Sequence, residues 1–163
     1  MKLKHFKILT LLGLVLLFAA CGGRSENRKM VEAAAIYEQI LIKHDSIYNM
    51  LQKHDQRVDN ILAKVPESDP DRVAYESMKR SIDRSFNLLE SWMDGVAEFP
   101  GSEHVHDSNS PHKHDHEKER LMESMSDEEI LELQKAYKTR LDEVGLKINE
   151  LITTIDMYTK DEN

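Results

Sequence analysis

The chain has 163 residues, of which 40% are hydrophobic and 32% are charged, and its formal net charge is −8 with histidine neutral. This composition suits one small folded domain with additional segments, and it excludes collagen-like and disulfide-rich classes. An acidic chain of this kind also disfavours nucleic acid and favours cations or a basic protein partner.

The N-terminal stretch MKLKHFKILTLLGLVLLFAAC has the layout of a secretory signal. A lysine-rich start is followed by an uncharged, mostly apolar run, residues 8–20, which is too short to span a bilayer as a helix. We therefore predict a signal peptide over residues 1–20. Its removal would make the remaining chain more acidic, because it contains three lysines.

The stretch FAAC, which ends at Cys21, resembles the lipobox of bacterial lipoproteins, where the cysteine is acylated and the chain is cut just before it. The resemblance implies that Cys21 anchors the protein in the lipid bilayer and that residues 21–27 form a lipidated tether. Two or more acyl chains give stable anchoring, whereas one gives marginal binding. The predicted location is the cell envelope, on the inner or outer membrane, facing the periplasm or the cell exterior. The alternative is a plain signal peptide followed by an unpaired thiol.

The first predicted helix runs from Met30 to Val65 and contains no glycine or proline. Its apolar residues recur in steps of three and four, which indicates one stripe along a helix. Pro66 then ends this helix, and Ser68 or Asp69 can cap a second helix with Pro70 at its first position.

Two further stripes follow the same spacing. The second runs from Tyr75 to Phe99, and the third runs from Ile130 to Tyr158. The third helix is predicted to begin at MSDEEI, where Ser126 and Glu129 match a capping box. Gly145 lies within it and costs about 1 kcal/mol relative to alanine without ending the helix.

Three amphipathic helices of this length cannot bury their stripes alone, so we predict an all-α fold, an antiparallel three-helix bundle over residues 28–160. The competing structure is an extended coiled coil between chains, which is disfavoured by the short turn after the first helix. Residues 100–125 lack periodicity and contain two of the four prolines. They are predicted to be a long disordered His-rich loop between the second and third helices, at the membrane-proximal end.

Five histidines occur in the loop, and alternate side chains of an extended segment share one face, so they can converge on an ion. Neutral imidazole suits Zn and Cu, and carboxylates can add ligands or orient the rings. The predicted Zn or Cu ligands are His104, His106, Asp107, His112, His114, Asp115 and His116. The alternative is a soluble spacer without a selected metal function.

Two other histidines, His44 and His54, fall on the stripe of the first helix. A hydrogen-bonded polar layer that fixes the helix register is favoured for them over a metal site. Counting back from the turn places His44 near Trp92 and Met93, and an imidazole with a thioether would suit copper. Most of the methionines have core spacing, where they are more often gap-fillers than ligands.

The lipobox cysteine and three helical stretches resemble a family of bacterial lipoproteins called "viral A-type inclusion protein". These stretches are HDSIYNM (44–50), SWMDGVAEF (91–99) and MSDEEILELQKAYKTRLDEV (125–144). The resemblance covers most of the chain after Cys21 except the His-rich loop. It implies a small helical lipoprotein with no established activity and no catalytic residues to carry across.

The sequence gives little support for catalysis, because no Ser, Cys or Lys nucleophile stands in a recognisable constellation and packed helices offer no obvious cleft. No phosphate-binding glycine loop or nucleic-acid motif is present. We therefore predict a non-enzymatic, membrane-anchored binding or structural module. A Zn- or Cu-binding lipoprotein that uses the His-rich loop is the alternative.

Overall fold

The computed structural model describes residues 2–100 and 116–160, with side chains described from residue 28 onward except at residues 116, 117 and 119. The regular structure of this part of the chain is entirely helical, which confirms the predicted all-α class. Its four helices are α1 (Lys2–Leu62), α2 (Arg72–Asp94), α3 (His116–Glu123) and α4 (Asp127–Tyr158). Within these residues, no helix combines the length and the apolar character needed to cross a membrane.

Helix α1 extends without a break through the predicted signal, the predicted tether and the first apolar stripe. This stretch contains no proline, so nothing in it removes a backbone donor. Every predicted stripe residue from Met30 to Val65 is buried or half-buried. The helix ends at Leu62, three residues earlier than predicted, and the Arg72 guanidinium donates to the carbonyls of Leu62 (3.1 Å) and Val65 (2.7 Å).

The predicted caps of the second helix are wrong by two or three residues. The residue before α2 is Asp71, and its side chain makes no capping hydrogen bond. Asp69 instead accepts a hydrogen bond from the Asp71 N–H at 2.8 Å, inside the turn. At its other end α2 stops at Asp94, because Gly95 bonds to the Trp92 carbonyl at 3.0 Å and the chain then leaves the helix.

The predicted loop over residues 100–125 is wrong for residues 116–123, which form α3. Met122 of this short helix is only 1% exposed. The Lys118 Nζ atom donates to the Asp94 carbonyl at 2.5 Å, which joins α3 to the end of α2. The predicted count of three helices therefore omits a helix that contributes to the core.

The directions of the long helices follow from contacts between named side chains. Lys79 of α2 contacts Asp55 of α1, whereas Phe86, further along α2, contacts Tyr48, earlier on α1, with ring centroids 5.2 Å apart. Helices α1 and α2 are therefore antiparallel.

Helices α1 and α4 run in the same direction. Lys29, in the middle of α1, pairs with Glu128 at the start of α4 at 2.8 Å, and His54, later on α1, contacts Asp156 near the end of α4 at 3.2 Å. The contact between α1 and α4 is the most extensive in the described structure, and α2 meets α4 over a smaller surface. Helix α1 therefore forms the centre of the packing.

The buried apolar side chains fall into two clusters. The main cluster lies between α1, α2 and α4, and Ile40, Leu51, Ile82, Leu89, Leu141 and Ile155 are fully buried in it. The smaller one, which we call the end cluster, contains Ala33, Ala97, Met122, Ile130 and Leu131. Ile36 packs against both clusters and marks their boundary.

Candidate functional sites

Most of the predicted metal ligands lie outside the described residues, and these are His104, His106, Asp107, His112, His114 and Asp115. His116 is the first residue of α3, and its side chain is likewise outside the description. Cys21 lies in α1, again without a described side chain. The proposed lipid anchor and the histidine ligands therefore stay predictions.

The two flanks of the His-rich segment are described, and both belong to the end cluster. Ala97 precedes the segment, Met122 follows it, and the two side chains are buried in the same cluster with Ala33 of α1. Ala33 is twelve residues beyond Cys21 on a continuous helix, a distance of about 18 Å at 1.5 Å per residue. Both flanks of the segment therefore meet α1 near its middle, about 18 Å along the helix from Cys21.

His44 is half-buried at the interface between α1 and α2. It lies near Trp92, as predicted. Its ring centroid is 6.4 Å from that of Tyr48 and 6.5 Å from that of Trp92, and both pairs are stacked. The Nδ1 atom is 3.3 Å from the Asp45 carboxylate, whereas the buried Nε2 atom has no partner among the described residues. One ring nitrogen is thus buried without a hydrogen-bond partner among the described residues.

The copper site at His44 and Met93 stays a prediction. Met93 is half-buried, one residue after Trp92. Among the described side chains, no group of three or more His, Cys, Asp or Glu residues is placed to hold a metal ion. A metal at His44 would therefore depend on the Met93 thioether.

His54 confirms the favoured prediction of a hydrogen-bonded histidine in the core. It is buried, its Nδ1 donates to the Met50 carbonyl at 2.8 Å, and its Nε2 lies 3.2 Å from Asp156 Oδ1. Because both partners are acceptors, the two hydrogen bonds exist together only when both ring nitrogens carry hydrogen. The side chain therefore links α1 to α4 rather than offering a free ligand.

Arg57 extends this polar link, which the apolar spacing alone did not predict. Its Nη1 donates to Asp156 Oδ1 at 2.9 Å and its Nη2 donates to the Thr159 carbonyl at 2.7 Å. Thr159 is fully buried, and its hydroxyl donates to the Ile155 carbonyl at 2.8 Å. The sequence feature that could have indicated this link is the position of Arg57, one turn after the core histidine and on the flank of the apolar stripe.

Ion pairs beside the stripes hold the same helices together. Lys43 of α1 bonds to Asp142 of α4, and this hydrogen bond lowers the pKa of the Asp142 carboxyl. Burial acts to lower the pKa of Lys79, but its hydrogen bonds to Asp55 and Asp59 outweigh that effect and raise the pKa. Both shifts favour the charged form in the folded chain.

One buried polar side chain has no partner in the described structure. Gln134 of α4 is fully buried, and neither of its amide atoms has a hydrogen-bond partner there. It follows Ile130 and Leu131 of the end cluster by one turn. The ion pair between Lys43 and Asp142 places these two residues at the same height in the parallel helices. Lys43 directly precedes His44, and Gln134 lies eight residues before Asp142. Gln134 is therefore about two turns away from His44 along the helices.

Comparison of this chain with protein-family models, curated proteins and solved structures finds no match.

Proposed function

We propose that the chain is an exported, membrane-anchored lipoprotein that acts as a non-enzymatic binding or structural module. The observation that carries this proposal is Cys21, which directly follows a secretory-type segment and ends the lipobox-like FAAC. The acyl chains on Cys21 would hold the protein in the bilayer of the inner or outer membrane. The chain would face the periplasm or the cell exterior.

The packing of the described helices supports a rigid module on this anchor. In this proposal α1, α2 and α4 form a three-helix bundle, with the His-rich segment connecting α2 to α3 outside it. Lys43, His54 and Lys79 each contact a carboxylate on a neighbouring helix. A stable scaffold that presents other surfaces is a use that fits this arrangement.

The lipoprotein proposal is tested by expressing the full chain in a bacterium that processes lipoproteins and labelling it with radioactive palmitate. We expect label in the wild type, fractionation with membranes, and loss of residues 1–20 by mass spectrometry. Cys21→Ser should remove the label and leave uncut precursor, whereas Phe18→Leu, which introduces a residue commoner in lipoboxes, should preserve processing. Wild-type chain that is unlabelled, or cut at another residue, would overturn the proposal.

The second candidate function is binding of Zn or Cu by the His-rich segment. It is favoured by five histidines within residues 104–116 and by the end cluster, which holds both flanks of the segment beside Ala33 of α1. Restricting both flanks reduces the conformational freedom that the segment must lose when its imidazoles close around an ion.

This candidate is tested with untagged full-length chain that carries Cys21→Ser and is kept in detergent micelles. We define the five-His variant as the same chain with asparagine at positions 104, 106, 112, 114 and 116. Calorimetric titration at pH 7.5 should show micromolar Zn²⁺ and Cu²⁺ binding that the five-His variant loses and that His44→Asn retains. Binding should weaken as the pH falls through about 6, because protonated imidazole cannot ligate. Binding unchanged in the five-His variant would move the site to His44 and Met93, and no binding would remove the candidate.

A further inference from the structure

Three methionines, from α1 and from the region of α3, belong to the end cluster or pack against it. Met122 of α3 is a buried member of it, and Met30 of α1 and Met125 of the α3–α4 connection pack against it. The other members and neighbours are aliphatic side chains and Phe99. Three of the eight methionines in the chain are therefore concentrated in the smaller of the two clusters.

The backbone and one ion pair hold these three residues at one place. The Met125 N–H donates to the Met122 carbonyl at 3.1 Å, so both residues belong to a single turn. Lys29, which precedes Met30, pairs with Glu128 at 2.8 Å and places this part of α1 beside the start of α4. Because Met125 lies three residues before Glu128, this ion pair places it within about one turn of the level of Met30.

The burial of the three side chains differs in a way that suits access by an ion. Met122 is 1% exposed, whereas Met30 and Met125 are half-buried. Three carboxylates stand in the first turn of α4, at Asp127, Glu128 and Glu129. Glu123 is also exposed one residue after Met122. Such carboxylates attract cations, although Glu128 is already paired with Lys29.

We propose that Met30, Met122 and Met125 form a binding site for a soft monovalent cation, with Cu(I) as its ligand. Thioether sulfur is a soft, uncharged donor and selects Cu(I) over hard divalent ions. Binding needs no deprotonation of these ligands, so it persists at acidic pH where imidazole is protonated. Methionine also fills irregular gaps in cores, and that packing role is the alternative that the experiment must separate. The site is distinct from the His-rich segment and does not depend on metal binding there.

The test uses silver(I), a redox-inert substitute for Cu(I), and the five-His variant labelled with ¹³C at the methionine methyl groups. The Cys21→Ser change that this chain carries removes a competing thiol. In chloride-free buffer, the methyl resonances of Met30, Met122 and Met125 should shift together and saturate at one silver ion per chain. The methyl resonances of Met50, Met78, Met93 and Met157 should stay in place.

Two substitutions that nearly conserve volume provide the matched comparison. Met30→Leu combined with Met125→Leu removes two donors at half-buried positions with little change in packing. Silver affinity should fall at least tenfold, while Met157→Leu, at an exposed position of α4, should leave it unchanged. Thermal unfolding of each variant checks that the helices are intact.

The proposal is overturned if none of the three methyl resonances moves at ten equivalents of silver. It is also overturned if the exposed Met157 responds at the same concentrations, since that would indicate unspecific thioether binding. Because the five-His variant is used throughout, the outcome is independent of whether the His-rich segment binds Zn²⁺ or Cu²⁺.

Discussion

The Nε2 atom of His54 on α1 lies 3.2 Å from the Oδ1 atom of Asp156 on α4. The other ring nitrogen donates to the Met50 carbonyl one turn earlier on α1. The same carboxylate oxygen accepts a hydrogen bond from Arg57, one turn later on α1. A single acidic residue on α4 therefore joins two α1 side chains and fixes the relative height of the two parallel helices.

Asp156→Ala should lower the free energy of unfolding by about 1 to 2 kcal/mol, because it leaves the buried His54 ring nitrogen without its acceptor. His54→Ala combined with Asp156→Ala should cost less than the sum of the single changes, with a coupling of about 1 kcal/mol. Urea unfolding followed by circular dichroism measures all four chains. Glu150→Ala, at an exposed position of α4, is the control and should not couple to His54→Ala. Equal coupling in both pairs would contradict the link.

Met122→Ala tests whether α3 belongs to the folded core. The side chain is 1% exposed, so truncation should remove about 2 to 4 kcal/mol of stability through lost burial and an unfilled cavity. The neighbouring Leu121 is 65% exposed, and Leu121→Ala should change stability by less than about 0.5 kcal/mol. Thermal or urea unfolding of the pair gives the comparison. Similar small losses at both positions would mean that α3 is not packed as described.

Several features of the fold were predictable from local patterns. Predicting the stripe of α1 required only the regular spacing of its apolar residues, and its members Ile40, Ile47 and Leu51 are buried. The start of α4 was predictable because Ser126 and Glu129 interact within four residues of sequence. Such features depend on contacts near in sequence or on helical periodicity alone.

Other features depend on contacts that spacing does not specify. Helix α3 has eight residues, too few to show a stripe, and its burial depends on Ala33 and Ala97, which are distant in sequence. The steps of three and four residues that define the predicted stripe of α4 end on Tyr158, which is 64% exposed. The same steps pass over Ile152, which is buried. A straight helix drifts by about 20° per heptad relative to a 3.5-residue repeat, so the predicted stripe rotates away from α1 along α4. For the candidate sites, sequence placed His54 in the core but could not assign Asp156 as its partner.

The acid dependence of stability should include a contribution from Asp142. The hydrogen bond from Lys43 holds the pKa of this carboxyl below its usual value of 3.8 in the folded chain. Its stabilisation is therefore complete above about pH 4 and is lost as the pH falls through 3.8 toward the lower folded pKa. Both side chains are about two-fifths exposed, so solvent screening limits the contribution to about 1 kcal/mol or less.

The measurement is urea unfolding of the wild type and of Asp142→Asn at pH 7, 5, 3 and 2. The wild type should be the more stable chain at pH 7 and 5, and the difference should become smaller at pH 3 and smaller again at pH 2. Glu143→Gln changes the adjacent exposed carboxyl and serves as the control. A difference between wild type and Asp142→Asn that is constant over this pH range would contradict the ion pair as its source.

Ser126→Ala should destabilise the junction between α3 and α4. The Ser126 hydroxyl accepts from the Glu129 N–H at 3.4 Å, and the Glu129 carboxylate accepts from the Ser126 N–H at 2.8 Å. Loss of such a cap costs about 1 kcal/mol. Unfolding by urea gives the value, with Ser77→Ala on the exposed face of α2 as the control. No difference between the two serines would show that the cap contributes nothing to stability.

Gly145 lies where α1 and α4 approach each other closely. A Cβ atom added at this position would lie 3.0 Å from the Cδ1 atom of Ile47, a contact that requires the isoleucine to move. Alanine is favoured over glycine by about 1 kcal/mol in helix propensity. In Gly145→Ala, this stabilisation is opposed by the close contact between the new Cβ atom and Ile47. Ile47→Val removes the Cδ1 atom itself and alone costs about 0.5 to 1.5 kcal/mol.

Gly145→Ala should therefore be more favourable in the Ile47→Val chain than in the wild type, by at least about 0.5 kcal/mol. The four chains of this cycle are compared by urea unfolding at one pH and temperature. Gly145→Ala with Ile40→Val, which shortens a buried residue two turns away in the same cluster, is the matched control and should be additive. Additivity in both cycles would mean that Ile47 does not limit the space beside Gly145. The predicted coupling would then have to be abandoned, together with close helix approach as the reason for a glycine within α4.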